Sequence, residues 1–139
     1  MNPFVNIHTH SNRHTNNKDF IEIQSINIDE IVNIDASSFL SVGVHPWAVD
    51  KIDNVDATVL QLENLLTNNP NVLAIGETGI DRLYKDTLQI QEDVFLRHIQ
   101  ISESLGKPLI IHAVRSYSDI ISIKKRTKAK SPWVIHGFQ

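Results

Sequence analysis

Five short apolar runs in this chain end on a histidine or a glutamate, and that recurrence constrains the fold more than any other feature. Phe4–Ile7 leads into His8 and His10, and Phe39–Val44 into His45. Val72–Ile75 leads into Glu77, Leu109–Ile111 into His112, and Trp133–Ile135 into His136. Continuous runs of this length read as strands buried on both faces, the pattern of a parallel sheet.

Longer amphipathic stretches separate them. Asp53 or Asn54 caps a helix whose Val55, Val59, Leu62, Leu65 and Leu66 share one stripe, and Asn68-Asn69-Pro70 stops it. A second helix spans about Thr87 to Leu105 with Val94, Phe95, Ile99, Ile101 and Leu105 inward. Gly106 suits its left-handed C-cap, and Pro108 lies just beyond. Ser116 and Asp119 resemble a capping box for a third helix carrying Ile120, Ile121 and Ile123.

Phe20–Ile26 alternates and reads as a strand with one wetter side, after a polar loop over residues 11–18. Residues 29–34 read as a short helix or turn. The alternation of strand and helix predicts an α/β fold with a parallel sheet and right-handed crossovers. Ligands of such sheets bind at the carboxyl ends of the strands, where every one of these polar residues falls.

The chain's 139 residues make one domain, 1–139, with a sizeable core. Thirteen basic and sixteen acidic residues give a net charge of −3, so no global basic field draws the chain onto nucleic acid or anionic lipid. A nucleic-acid substrate stays compatible, because bound cations supply local positive charge. With no cysteine, disulfides, thiolate metal sites and cysteine nucleophiles are all excluded. His, Asp and Glu donors suit zinc, manganese or magnesium. No apolar run approaches membrane-spanning length and no secretory leader is visible, which predicts a cytoplasmic protein without membrane contact.

His8 and His10 stand two apart, so an extended strand projects both imidazoles from one face toward a single point. One His-x-His pair means little alone, and a single histidine is more often a satisfied core residue. Four imidazoles (His8, His10, His112 and His136) at strand exits, with a glycine-flanked Glu77, form a set able to hold one or two divalent cations. A carboxylate suits a bridging position because it offers two oxygens and reduces repulsion between ions.

The run Ala74-Ile75-Gly76-Glu77-Thr78-Gly79-Ile80-Asp81 resembles the signature of TatD-related deoxyribonucleases. So do Asn6-Ile7-His8-Thr9-His10, Gly43-Val44-His45-Pro46-Trp47, Lys107-Pro108-Leu109-Ile110-Ile111-His112 and Val134-Ile135-His136-Gly137-Phe138. These belong to the metal-dependent hydrolase superfamily with a (β/α)8 TIM-type barrel, and the resemblance runs in order along essentially the whole chain. It implies two divalent metal ions, one held by His8 and His10 and the other by His112 and His136, with Glu77 bridging as the central catalytic group. It also implies hydrolysis of phosphodiester bonds in a nucleic-acid substrate. A bridging glutamate distinguishes this branch from the phosphotriesterase-like one, which typically carries a modified lysine there.

Two departures from the family pattern stand out. The first motif usually begins with Asp, and here the position is Asn6, whose amide can orient an imidazole from behind. The family's further Asp ligand, at the end of its last strand, is not in this sequence. About six of the eight strands are expected, against roughly 250 residues for a full barrel, so the expectation is an incomplete barrel lacking its C-terminal third.

His45 sits beside the ligand rim as a candidate substrate-binding residue, and Arg115, three after His112, as a candidate bidentate partner for a substrate phosphate. His98 falls on the apolar stripe of the long helix and is expected to pack; His14 is expected in solvent. The basic run Lys124–Lys130 sits at the end of a helix, on the face opposite the strand carboxyl ends, and is expected to be a solvated surface. Two other readings accompany the nuclease. A hydrolase of the same superfamily could act on an ester, lactone or amide with the same donors. A catalytically incomplete metal-binding fragment could instead self-associate through the open barrel edge.

Overall fold

The computed structural model describes residues 3–11, 20–31 and 37–137. Six strands form one sheet in the order β1-β2-β3-β4-β5-β6, every neighbouring pair parallel. They are β1 (Phe4–Thr9), β2 (Phe20–Asn27), β3 (Phe39–Gly43), β4 (Val72–Asp81), β5 (Leu109–Val114) and β6 (Trp133–Ile135). Helix α1 (Val55–Asn68) joins β3 to β4, α2 (Leu88–Leu105) joins β4 to β5, and α3 (Tyr117–Thr127) joins β5 to β6. Sequential parallel strands with helical crossovers, which the sequence pattern predicts, make a curled, partial TIM-type barrel, which the family resemblance implies.

The core is the layer between sheet and helices. Leu40, Val42, Val72, Ile75, Leu109 and Ile111 from the strands pack with Leu62 and Leu66 of α1, Val94, Phe95 and Ile99 of α2, and Ile120 and Ile123 of α3. Ile121 faces outward. Asn54, not Asp53, caps α1, its Oδ1 accepting from Ala57 N at 2.9 Å. Gly106 ends α2 at φ 65°, in the left-handed cap its position predicts.

Several expectations change. β1 is not buried on both faces: Phe4 is 65% exposed, and Val5 and Ile7 are also open. β1 is a terminal strand of the sheet, so the apolar pattern of an interior strand lies uncovered. The capping box at α3 does not form. Ser116 Oγ donates to the Ile80 carbonyl at 2.6 Å, and Asp119 takes a bidentate ion pair from Arg82 at 2.7 Å. A buried carbonyl and a nearby guanidinium compete successfully for those side chains. Residues 28–30 make a single 3-10 turn. His14, most of the loop over 11–18 and residues 32–36 lie outside the described residues.

β4 is the longest strand and continues well past the apolar run that predicts it, through Gly76-Glu77-Thr78-Gly79-Ile80-Asp81. Gly76 (φ 118°) and Gly79 (φ 144°) adopt backbone angles that favour glycine, and a Cβ on either would collide with the Ile110 or His112 carbonyl of β5. The peptide between Gly76 and Glu77 is cis. This close approach lets β4 stay paired to β5 across a register shift between Ile75 and Thr78, with Glu77 at the rim.

Candidate metal centre

Glu77 is buried in the middle of the rim, its side chain 3% exposed, and five imidazoles converge on it. His8 Nε2 and His10 Nε2 each stand 3.3 Å from Oε2. On Oε1, His112 Nδ1 lies at 2.6 Å, His45 Nε2 at 3.3 Å, and His136 Nε2 makes a further hydrogen bond. Burial pushes the Glu77 carboxyl up, but bonds from His112, His136, His45 and His8 together outweigh it. They hold the group far below the ordinary carboxylate range.

The two-residue period of β1 acts as predicted. His8 and His10 lie side by side, with Nε2 atoms 3.2 Å apart and rings edge to face at 4.7 Å. Asn6, however, does not reach an imidazole: its Oδ1 accepts from the backbone N–H of His8 at 3.3 Å. A short amide on the same strand closes onto the nearest N–H instead.

His45 comes closer to the centre than its candidate role as a substrate-binding residue suggests. It caps the 3-10 turn Pro46–Lys51, its Nδ1 accepting from Trp47 N at 3.1 Å, while Asn27 Oδ1 holds its own N–H at 2.8 Å. An imidazole that accepts at Nδ1 carries its proton on Nε2, so His45 points an N–H donor at Glu77.

Asp81 is a buried member of the site that sequence reasoning missed. Its Oδ2 accepts from Trp47 Nε1 at 2.7 Å and pairs with His112 Nε2 at 3.0 Å, while Oδ1 accepts from Leu83 N at 2.9 Å. Burial raises its carboxyl, and the Trp47, Leu83 and His112 bonds more than reverse that. His112 lies between two carboxylates. Burial alone would lower it, but Glu77 and Asp81 raise it above the usual imidazole value. The signal for Asp81 was its spacing: residues 77, 79 and 81 share a face once β4 is known to continue beyond Ile75. Behind it, buried Gln91 of α2 accepts from Asp81 N at 2.8 Å and donates to Tyr84 O at 3.1 Å, bracing the turn after β4.

The remaining candidates fall elsewhere. Arg115 is exposed, with φ 52°, and does not line the cavity over the site. His98 is fully buried in α2 and satisfied at both nitrogens, by Val44 N at 3.0 Å and Val94 O at 2.7 Å. The basic run sits at the opposite end of the sheet. There Lys124 donates to Ser131 O at 2.8 Å and lies 4.4 Å over the Trp133 ring, and Arg126 pairs with Glu92.

The donor chemistry fits a divalent cation. Glu77 Oε2 is buried without a formed hydrogen bond, although the Nε2 atoms of His8 and His10 stand 3.3 Å from it, a spacing open to a cation. The donors of His8, His10 and Glu77 lie within 4.8 Å of one another; His45 and His112 crowd Glu77 as closely, His45 with Nε2–H toward it rather than a lone pair. A cavity of about 560 Å³ opens above, lined by His10, His45, Glu77, His112 and His136 and, further out, by Trp47 among others.

A partial parallel barrel with its polar groups collected at the strand carboxyl ends defines the class: an α/β barrel whose function sits on that rim. Comparison then narrows it. Residues 4–139 match the family described as TatD related DNase. An uncharacterized metal-dependent hydrolase of Buchnera aphidicola is 39% identical over 105 residues, covering 72% of this chain and 40% of that protein. The uncharacterized metal-dependent hydrolase TatD of Mycobacterium tuberculosis is 31% identical over 110 residues, covering 75% of this chain and 40% of that one. A 3'-5' RNA nuclease of Homo sapiens, TATDN2, is 40% identical over 70 residues, covering 48% of this chain and 9% of that protein. The crystal structure of a TatD homolog from Escherichia coli superposes with a TM-score of 0.71 at 22% identity, covering 86% of this chain and 49% of that one.

The chain belongs to the TatD related DNase family. It spans about 40% of the length of the curated bacterial relatives it matches. Among the described residues no helix is long and apolar enough to cross a membrane.

Proposed function

We propose that this chain carries the metal-binding half of a hydrolase that cleaves phosphodiester bonds in nucleic acid, using two divalent ions (zinc, manganese or magnesium). The observation that carries this reading is Glu77 itself, a buried carboxylate with five imidazoles around it, two of them facing Oε2 and three facing Oε1. His8 and His10 would hold one ion, His112 and His136 the other, with Glu77 between them. Such ions supply a nucleophilic water near neutral pH and stabilise the leaving oxygen.

The residues around the ligands have separable tasks. Asp81 holds His112 by Nε2, which leaves Nδ1 directed inward, and a carboxylate behind an imidazole increases its basicity as a donor. His45 is set by the Trp47 N–H to present Nε2–H. It is therefore suited to donate a hydrogen bond to a phosphoryl or leaving-group oxygen rather than to ligate. Arg115 stands outside the cavity lining, so a phosphate seated over Glu77 is left to Lys51 and the ions rather than to this side chain.

The family description and the RNA nuclease among the relatives support nucleic acid over an ester, lactone or amide. The test is cleavage of DNA and RNA oligonucleotides by the purified protein with added manganese, magnesium or zinc, alongside a lactone panel. Cleavage that requires metal and disappears in Glu77→Ala supports the reading. Cleavage that survives chelation, or turnover of lactones alone, overturns it.

A further inference from the structure

Trp47 is held in a way that packing does not explain. The indole lines the cavity mouth and is 53% exposed, yet its Nε1–H is spent on buried Asp81 at 2.7 Å. One edge stands against the His45 ring, centroids 4.9 Å apart and nearly perpendicular. Tyr84, itself 45% exposed, lies 5.6 Å away with its ring tilted 35° to the indole. Exposing two large aromatic rings forfeits burial worth about 1.5–3 kcal/mol for a side chain of that size. A Trp left open usually has its N–H in water; here it is anchored, so the ring plane is fixed while much of its surface stays available.

We propose that Trp47 is a nucleobase-stacking platform, flanked by Tyr84, that seats the base next to the scissile phosphate. This inference rests on the reading of the site as a phosphodiester hydrolase. Trp47, Ala48 and Lys51 follow one another along the 3-10 turn and line the cavity, with Asp29 and Glu30 also in its lining. That turn offers an aromatic ring, an apolar methyl and an ammonium. That sequence matches a base and the phosphate attached to it, since every base has a π-face whatever its identity. The indole is also edge-on to His45, and it shares Asp81 Oδ2 with His112, so a base stacked on it would bring its backbone toward Glu77.

Binding of octathymidylate and of the matching abasic octamer tests this, in chelator-containing buffer so that no cleavage competes. Emission is followed in a Trp133→Phe background, where Trp47 is the remaining tryptophan, and affinity by anisotropy of end-labelled strands. The expected result is quenching by the thymidine strand and little by the abasic one. Trp47→Ala should weaken the thymidine strand by about 5- to 150-fold without changing abasic binding, and Trp47→Phe should recover most of the loss. Equal affinity of the wild type for both octamers, or no binding of either where metal-dependent cleavage occurs, overturns the platform. So does a Trp47→Phe variant as weak as Trp47→Ala, which would mean that the indole acts through its bond to Asp81. Metal-dependent cleavage undisturbed by Trp47→Ala sinks the platform but leaves the hydrolase reading intact. Neither binding nor cleavage of any strand by the wild type, with metal present, overturns both.

Discussion

The imidazoles of His8 and His136 stack with centroids 4.2 Å apart and planes 28° from parallel, although they leave the two opposite edges of the sheet. His8 belongs to β1 and His136 follows β6, with four strands between them. A flat sheet would hold its edge strands about 24 Å apart, at about 4.8 Å per strand. The contact therefore measures how far the sheet has curled, and Glu77 of β4 is the point on which the rim closes.

Asp81 gives the sharpest prediction about the metal centre. Asp81→Asn keeps the size of the side chain but removes the charge that orients His112. Divalent-metal affinity, measured by calorimetry with manganese, is expected to fall by about 10- to 100-fold with the circular dichroism spectrum unchanged. An unaltered affinity would show that His112 needs no such support.

His98 makes stability depend on acid. Burial lowers its pKa from 6.5 to about 4, partly opposed by the Val94 carbonyl. Between those two values the unfolded chain takes up a proton that the folded chain refuses, so stability falls as the pH drops from 6.5 toward 4 and is unaffected by this group above 6.5. At about 1.4 kcal/mol per pH unit the loss approaches about 3 kcal/mol. Urea unfolding at pH 7.5 and pH 5 should show a smaller pH difference in His98→Gln than in the wild type; identical differences would count against it.

Gly79→Ala should be severely destabilising. The new methyl meets the His112 carbonyl of the neighbouring strand at a backbone φ of 144°, and neither can yield without breaking the β4–β5 ladder. A loss of about 3 kcal/mol or more is expected, against near-neutral behaviour of Gly106→Asn at the C-cap of α2, where nothing lies within 4 Å. Thermal melts of the two variants compare them directly.

The open edge of β1 predicts self-association. Phe4, Val5 and Ile7 expose apolar surface on both faces of a terminal strand, the arrangement that invites pairing with a second copy. Sedimentation velocity should show mass rising with concentration, and Val5→Lys should shift the chain toward monomer. A wild type that remains monomeric at high concentration contradicts this.

The positions of His8, His10, Glu77, His112 and His136 were legible in the sequence because each follows an apolar run that forms a strand. A parallel α/β sheet then puts all strand ends on one rim. The helices α1, α2 and α3 were legible for the same reason: their stripes repeat at the helical period, a local property. Glycine conformation at Gly106 is local too.

What the sequence did not reveal depends on partners distant along the chain. Asp81 entered the site because β4 continues through two glycines, which no apolar pattern signals, and because Trp47 reaches it from the 3-10 turn after β3 and His112 from β5. Ser116 abandoned its helix cap for a carbonyl 36 positions earlier. β1 carries the composition of an interior strand but stands at an edge, since burial depends on which strands are present to cover it. By itself, the sequence determined which residues sit at strand ends and in what order. Tertiary structure decided how tightly the sheet curls and which donors meet at Glu77, because hydrogen bonds and ion pairs across strands act over a few ångströms in space, whatever their separation along the chain.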